Sequence, residues 1–238
     1  MTNQNTNPLQ KTAVIIVAGG TGTRAGGHGP KQYRQLHGHP LLIYAMRYFA
    51  ALPQLQQIVV VVPLDQVYST MELVSKYPEL QAPDIAVVAG GTRRQDSVMA
   101  GITAATHAEY VAVHDAARPF PPHNFLECLD AAIQTGAAIF ATPVSDTLKQ
   151  VSQSTIEKSV PRQHLWAAQT PQVFHREKLI HALEVCHQQN LEITDDASAF
   201  EHLGWPVTII PGNRQNLKVT YPEDFTMAEA LLKGQTQS

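Results

Sequence analysis

Six short apolar runs, rich in Val, Ile and Ala, recur along the chain and constrain its fold more than any other feature. The runs are almost continuously apolar, which is typical of strands that are buried on both faces of a parallel sheet. Helical patterns lie between them, for example over Pro40–Leu52 and Asn124–Gln134. This alternation predicts a mostly parallel, doubly wound α/β fold, with ligands bound beyond the carboxyl ends of the strands. The runs are Thr12–Ala18, Gln57–Pro63, Asp84–Gly90, Tyr110–Asp115, Ala137–Pro143 and Pro206–Pro211.

The length, net charge and cysteine content of the chain limit the class of protein to which it can belong. Its 238 residues suit a single domain, which we assign to 1–238. A net charge of −3 does not favour nucleic-acid binding. The two cysteines form no disulfide framework, so a reducing compartment is expected. The polar N-terminus does not resemble a signal peptide, and no apolar run approaches a membrane span. We therefore expect a cytoplasmic protein without a membrane partner.

One region departs from the alternation. Two short β-like runs, Thr147–Val151 and Thr155–Val160, are joined by the polar sequence "SQS". They predict a β-hairpin arm, at about residues 144–168, that projects from the domain. Because a two-stranded hairpin is marginally stable alone, we expect the arm to contact a second subunit in a homodimer. The alternative is a meander packed on its own domain.

A glycine-rich loop follows the first predicted strand. Gly20–Ala25 matches the G-x-G-x-x-G/A dinucleotide fingerprint, which also requires an acidic residue at the end of the next strand. The nearest acid there, Asp65, lies beyond Pro63. A P-loop is excluded as well, because Lys31 is followed by Gln rather than Ser or Thr. The fingerprint is therefore a chance match.

The same loop has the composition of a phosphate-binding site. The amides of Gly19, Gly20 and Gly22 have no Cβ beside them, and successive amides of this kind bind anions. Arg24 and Lys31 add two positive charges, and the sequence has no acid between Lys11 and Asp65. The loop thus predicts a triphosphate site; the alternative is a solvated loop with incidental charges.

The carboxyl end of the fourth strand carries a candidate metal ligand. Asp115 stands beside the predicted phosphate site, and Mg²⁺ prefers one or two carboxylates together with substrate phosphates. The alternative is a structural ion pair between Asp115 and Arg118. His114, at the same strand end, is expected to be a packed histidine rather than a base.

Polar groups follow other predicted strands too. Gly91 and Ser97 could contact a base or ribose, although Ser97 or Asp96 could equally cap the next helix. Thr194 or the Asp after it could begin a later helix, and Lys218 lies on a short extended segment. Both of these could also be surface features.

Seven motifs, taken in order, resemble those of the 2-C-methyl-D-erythritol 4-phosphate cytidylyltransferases. The motifs read "AGGTGTRAGGHGPKQY", "GGTRRQDSV", "VHDAARPF", "DTLK", "QTPQVF", "TDDAS" and "NLKVTYPED", and the resemblance as a whole runs from about Ala13 to Lys233. The resemblance implies a nucleotidyltransferase-type sheet and a homodimer formed through the arm. It also implies transfer of CMP from CTP to methylerythritol phosphate with release of pyrophosphate, in the non-mevalonate isoprenoid pathway.

The resemblance assigns roles where the motifs match. Asp115 would hold Mg²⁺, Arg162 would reach from the arm into the partner's site, and Thr194 would line the methylerythritol phosphate pocket. The residues implied in catalysis are Arg24, Lys31, Arg162 and Lys218. Those implied in contacts with the nucleotide are Ala18, Gly19, Gly20, Gly91, Thr92, Ser97, Ala116 and Arg118.

The chain departs from the family pattern in places. It has "AGG" at Ala18–Gly20 instead of "AAG", Ala25 instead of Met, and Thr92 where an acid is frequent. The sequence "AGGTGTR" also resembles the ribitol 5-phosphate cytidylyltransferases, which normally lack "DAARP" and "TDDAS". Ribitol 5-phosphate is therefore kept as the alternative acceptor.

Two other classes of protein compete with an enzyme of this kind. A nucleotide-binding regulator without turnover would not need the whole set of candidate catalytic residues. A nicotinamide-dependent oxidoreductase would need the ribose-binding acid that the sequence lacks. We therefore expect an enzyme.

Overall fold

The computed structural model describes residues 7–20, 30–80 and 83–235. Within these ranges the chain forms a central seven-stranded sheet flanked by helices. The strands are β1 (Thr12–Val17), β2 (Gln35–Leu36), β3 (His39–Pro40), β4 (Gln57–Val62), β5 (Asp84–Ala89), β6 (Tyr110–Asp115), β7 (Ala137–Pro143), β8 (Leu148–Ser152), β9 (Thr155–Val160), β10 (Trp166–His175) and β11 (Thr208–Pro211). The order in the central sheet is β11-β7-β10-β6-β1-β4-β5.

Helices cover both faces of this sheet. They are α1 (Leu41–Ala50), α2 (Val67–Ser75), α3 (Arg94–Ala104), α4 (Phe125–Thr135), α5 (Arg176–Gln188), α6 (Asp196–His202) and α7 (Pro222–Gln235). In the described parts of the chain, no helix combines the length and the apolar character that crossing a membrane would require.

The predicted α/β class and mostly parallel sheet are confirmed. β1 pairs in parallel with β4 and β6, β4 with β5, and β7 with β11. Each of the six predicted strands is present, and their ends differ from the predicted ends by at most two residues.

Alternate side chains of β1 enter separate hydrophobic cores on the two faces of the sheet. Val14 and Ile16 belong to a core with α1 and α4. Ala13 and Ile15 belong to a core with α3 and α5. Burying one Ile side chain contributes about 1.5–3 kcal/mol to folding. This two-sided burial is the physical reason why the strands are continuously apolar.

The long strand β10 was not predicted from the apolar pattern. It runs antiparallel between β6 and β7, at the centre of the sheet. Its middle carries Gln169, Thr170 and Gln172, which are buried polar residues and do not form an apolar run. Trp166 already pairs with Pro143 of β7, so the last residues assigned to the arm belong to the central sheet.

Strands β8 and β9 form the predicted hairpin. Among the described strands they pair only with each other, as a separate two-stranded antiparallel sheet. Their facing apolar side chains, Val151 and Ile156, are 54% and 59% exposed. The hairpin therefore projects from the domain, unlike a meander packed on its own core.

Candidate active site

The carboxyl ends of β1, β5 and β6 meet at a pocket of about 400 Å³. Ala18–Gly20 extends from β1, Gly91–Arg94 and Ser97 line the pocket after β5, and Asp115–Ala117 closes the end of β6. Lys218 and Thr220 reach the pocket from the segment before α7. The pocket thus lies where a doubly wound fold binds its ligands.

Most of the site residues expected from the sequence lie in this pocket. The structure brings together Ala18, Gly19, Gly20, Lys31, Gly91, Thr92, Ser97, Asp115, Ala116 and Lys218. The pocket lining does not include Arg118, Arg162 or Thr194. Arg24 and Gly22 lie outside the described residues.

The residues after the glycine-rich loop are fixed to the end of β1. The side-chain amide of Gln32, which is buried, donates to the carbonyl of Ala18 at 2.5 Å. The Lys31 ammonium donates to the carbonyl of Val219 at 2.9 Å. These bonds place the Lys31 charge at the pocket beside the segment that carries Lys218.

The turn between β5 and α3 is too tight for side chains at its glycines. A Cβ on Gly91 would lie 2.4 Å from the Cβ of Asp96, and one on Gly90 would lie 2.6 Å from the Ser97 hydroxyl. The Ser97 hydroxyl accepts a hydrogen bond from the Gly91 N–H at 3.2 Å. Ser97 therefore shapes the turn as well as lining the pocket.

The first turn of α3 is stabilised by Asp96. Its carboxylate accepts from the backbone N–H of Arg93 at 3.1 Å, as expected of a helix-capping acid. The Arg93 guanidinium donates to the same carboxylate at 2.8 Å. The capping interpretation is thus correct for Asp96.

Asp115 carries a negative charge into a mostly basic pocket. Its Oδ2 lies 2.7 Å from the Lys218 ammonium, and its Oδ1 lies 3.5 Å from the Arg94 guanidinium. Burial alone would raise the pKa of Asp115, but attraction to Arg94 and Lys218 outweighs it and holds the pKa well below its usual range. Asp115 is therefore ionised at neutral pH.

Arg118 does not form the ion pair with Asp115 that the alternative interpretation required. Its guanidinium instead donates to the backbone carbonyls of Asn216 at 2.6 Å and Ala168 at 3.4 Å. Burial lowers its pKa, although the nearby Asp115 charge partly offsets this. Through these two hydrogen bonds Arg118 links β10 with the segment that precedes Lys218.

His114 is a packed histidine, as expected. It is fully buried, its ring lies 5.1 Å from that of Phe49, and burial lowers its pKa to about 4. Its Nε2 donates to the Arg118 carbonyl at 2.9 Å, since a carbonyl only accepts. Its Nδ1 then accepts from the Thr170 hydroxyl at 3.2 Å. The Thr170 oxygen also accepts from the Asp115 N–H, which fixes the end of β6.

Arg94 is the functional candidate that sequence reasoning missed. It lines the pocket at the start of α3, and its guanidinium lies 2.8 Å from the carboxylate of Asp196. Burial would lower the pKa of Arg94, but Asp196 and Asp115 raise it overall. The sequence does show two adjacent arginines, Arg93 and Arg94, directly after a predicted strand. It does not show the ion-pair partner of Arg94, because Asp196 is distant in the sequence.

The N-terminus of α6 lies behind Arg94. Asp195 caps this helix by accepting from the Ser198 N–H at 3.0 Å, so of the two predicted caps Asp195 is the correct one. The Thr194 hydroxyl is exposed and lies 3.0 Å from the hydroxyl of Ser198. Its role toward a substrate stays a prediction.

The donor set at the pocket is compatible with Mg²⁺. Within the described ranges no group of three or more His, Cys, Asp or Glu side chains could enclose a metal ion. Mg²⁺ needs only one or two carboxylates when substrate phosphates supply other oxygens. Asp115 is such a carboxylate, and it lines the same pocket as the glycine amides and Lys31.

The fold and the pocket together define a nucleotidyltransferase-type α/β protein. Of the residues that the structure describes, its sheet brings glycine amides, two lysines and one carboxylate to the same pocket. Groups of this kind bind and neutralise phosphates without a covalent step.

Comparison with known proteins then gives the family. The sequence model of the 2-C-methyl-D-erythritol 4-phosphate cytidylyltransferases matches residues 12–234. The chain is 38% identical over 226 residues to the protein of that name from Carboxydothermus hydrogenoformans, covering 94% of this chain and 96% of the relative. It is 39% identical over 226 residues to the one from Syntrophus aciditrophicus, with the same coverage. The chain belongs to the 2-C-methyl-D-erythritol 4-phosphate cytidylyltransferase family.

Solved structures agree with this assignment. The crystal structure of 2-C-methyl-D-erythritol 4-phosphate cytidylyltransferase from Thermus thermophilus matches with a TM-score of 0.74 and 31% identity, over 92% of this chain and 98% of that one. The enzyme of the same name from Francisella tularensis matches with a TM-score of 0.79 and 28% identity, over 92% and 99%.

Proposed function

We propose that this protein transfers CMP from CTP to 2-C-methyl-D-erythritol 4-phosphate and releases pyrophosphate, as a step of isoprenoid biosynthesis by the non-mevalonate route. The observation that carries the proposal is the pocket in which Lys31, Asp115 and Lys218 meet the glycines after β1. Family membership supplies the identity of the two substrates. We expect the reaction to take place in the cytoplasm.

The proposed reaction is an in-line displacement at phosphorus. A phosphate oxygen of the acceptor forms a bond to the α-phosphorus of CTP. The bond from that phosphorus to the oxygen bridging to the β-phosphate breaks, and pyrophosphate leaves with the electron pair. The protein's task is to hold the two phosphates close and to neutralise their charge.

The nucleotide would occupy the side of the pocket formed by β1 and α3. The amides after β1, with Lys31 and Arg24, would bind the triphosphate. Gly91, Thr92 and Ser97 would contact cytosine at the tight turn before α3. Ala116 would lie beside the ribose, with Arg118 supporting that wall through its bonds to backbone carbonyls.

Mg²⁺ would be held by Asp115 and by oxygens of the triphosphate. The ion would supply positive charge to the phosphates as they react. Asp115 suits this role because its carboxylate is ionised and lines the pocket. Lys218, at 2.7 Å from Asp115, would add a further positive charge next to the acceptor phosphate.

The active enzyme would be a homodimer formed through the hairpin. Its apolar side chains Val151 and Ile156 are exposed in the single chain, and an interface would cover them. Arg162 lies in the connection between β9 and β10 and is exposed. It does not line the pocket of its own chain, so it would act in the pocket of the partner, together with Thr194 there.

Pyrophosphate release tests the proposal directly. The purified protein is supplied with CTP and Mg²⁺, and with either methylerythritol phosphate or ribitol 5-phosphate. We expect pyrophosphate and a cytidylylated product with methylerythritol phosphate. Release with ribitol 5-phosphate alone would favour the sister activity, and release with neither would contradict a transferase.

A further inference from the structure

Arg94 lies between two carboxylates that belong to different elements. Its Nη2 atom is 2.8 Å from Oδ2 of Asp196, at the start of α6, and 3.5 Å from Oδ1 of Asp115, at the end of β6. Asp115 lines the pocket, whereas the Asp196 side chain is 0% exposed. With Lys218 on the other oxygen of Asp115, four charges of alternating sign lead from the interior to the pocket.

The two distances show which carboxylate has the stronger hold on Arg94. Both contacts are ion pairs, and at 2.8 Å the guanidinium lies closer to Asp196 than to Asp115 at 3.5 Å, although its N–H groups make no hydrogen bond to either Asp196 oxygen. Burial raises the pKa of Asp196, and attraction to Arg94 opposes that shift without cancelling it. Arg94 is the cation that lies against this buried carboxyl group, so the preference of Arg94 for Asp196 rests on the shorter distance.

The position of Asp196 is fixed from the sheet. The side-chain oxygen of Gln172, on β10, accepts from the N–H groups of Asp196 at 3.2 Å and Ala197 at 3.1 Å. The side-chain amide of Gln172 donates to Asp195 at 2.7 Å. A buried strand therefore fixes the backbone from which the Asp196 carboxylate extends towards Arg94.

We propose that Asp196 is a positioning residue, which draws Arg94 away from Asp115 and so keeps Oδ1 of Asp115 accessible to a divalent cation that enters with the triphosphate. The inference rests on the proposed function, since it needs a nucleotide that brings a cation. Oδ2 of Asp115 is already bound by Lys218. If Arg94 closed on Oδ1 as well, both oxygens would be paired with the protein's own cations.

The test measures binding rather than turnover. Calorimetry gives the Kd of CTP, without any acceptor, in Mg²⁺ and in EDTA. We define the cation gain as the ratio of the Kd in EDTA to the Kd in Mg²⁺; this ratio cancels any direct effect of a variant on the phosphates.

In Asp196→Asn, Arg94 is free to close on Asp115, and we expect the cation gain to fall about tenfold. Asp195→Asn, the matched loss of the neighbouring carboxylate, should leave the ratio within about twofold of wild type.

A double variant separates positioning from a structural role. Arg94→Met combined with Asp196→Asn removes both charges, so no unpaired ion is left in the interior and nothing remains to close on Asp115. We expect its cation gain to return to within about twofold of wild type. A residue that merely stabilised the fold would give a double variant at least as impaired as Asp196→Asn alone.

Each outcome bears on the proposal. An Asp196→Asn protein that melts cooperatively and keeps the wild-type cation gain would overturn it, as would a double variant that stays impaired. If Asp196→Asn does not fold, Asp196→Ala takes its place in the same measurement, and wild-type cation gain in that variant would overturn the proposal equally. A wild-type protein without any cation gain would also overturn the inference. Pyrophosphate release by the wild type is measured separately, so a failure of the proposed function would be recognised as such.

Discussion

The ammonium of Lys218 lies 2.7 Å from Oδ2 of Asp115 at the carboxyl end of β6. The two residues come from distant parts of the chain, and Arg118 links their segments by donating to the Asn216 carbonyl. Since the pocket is open at Lys218, whose side chain is 47% exposed, the same ammonium is available to an incoming phosphate. The ion pair therefore joins the candidate metal ligand to the candidate acceptor site.

Replacing Lys218 should impair turnover much more than folding. We expect Lys218→Ala to lower kcat by about 10²–10³, the usual effect of losing one electrostatic stabiliser. The measurement is steady-state pyrophosphate release. Lys11→Ala is the matched control, because Lys11 pairs with Glu109 at 2.9 Å on the surface and does not line the pocket. Equal rates for the two variants would remove Lys218 from the catalytic set.

Lys31 and Arg24 are expected to act on the triphosphate. Lys31 lines the pocket, and Arg24 belongs to the same glycine-rich segment of the sequence. Lys31→Ala and Arg24→Ala should each lower turnover by about 10²–10³, by weakening charge neutralisation in the transition state. Arg47→Ala, which breaks the surface ion pair with Glu79, is a control of similar charge change. Wild-type kcat in both the Lys31 and the Arg24 variant would contradict these roles.

Arg162 should act across the dimer. If it enters the partner's pocket, a mixed dimer of Arg162→Ala and Lys31→Ala subunits contains one intact site and one doubly impaired site. Random mixing of the two inactive variants should then restore about a quarter of wild-type activity. The measurement is pyrophosphate release after co-refolding or co-expression. The absence of any rescue in verified mixed dimers would mean that each subunit is self-contained.

The strands could be predicted from the sequence wherever burial alone determines the residue type. β1, β4 and β6 are apolar because both of their faces are covered, and so the pattern identifies them. β10 escaped prediction because its centre is polar. Gln172 and Thr170 are buried there through hydrogen bonds to α6 and to β6, and such bonds to distant segments leave no periodic trace.

Site residues could likewise be predicted where their position relative to a buried strand alone brings them to the pocket. Asp115 was predicted because it ends a buried strand, and Lys31 because it belongs to the glycine-rich segment that follows one; both positions reach the ligand edge of the sheet. Arg94 and Asp196 were missed because the role of each depends on its contact with the other, and the sequence does not show that contact. A half-buried arginine and a buried aspartate are recognisable as a pair only when the fold brings α3 and α6 together.

His114 should make the stability of the fold depend on pH. Its pKa falls from 6.5 in the unfolded chain to about 4 in the folded protein, because burial disfavours the charged ring. Between these values the unfolded chain binds more protons, so the free energy of unfolding decreases as the pH falls from about 6.5 towards 4. From pH 7 to pH 5 the expected loss from this group is about 2 kcal/mol.

Urea denaturation at the two pH values checks this expectation. The control is His114→Gln, whose side chain does not titrate and whose amide retains a donor for the Arg118 carbonyl. This variant should be less stable at pH 7, since it loses the ring contact with Phe49, but it should lose about 2 kcal/mol less between pH 7 and pH 5 than the wild type does. If the two proteins lost the same stability over that interval, the buried imidazole would not be the group that titrates.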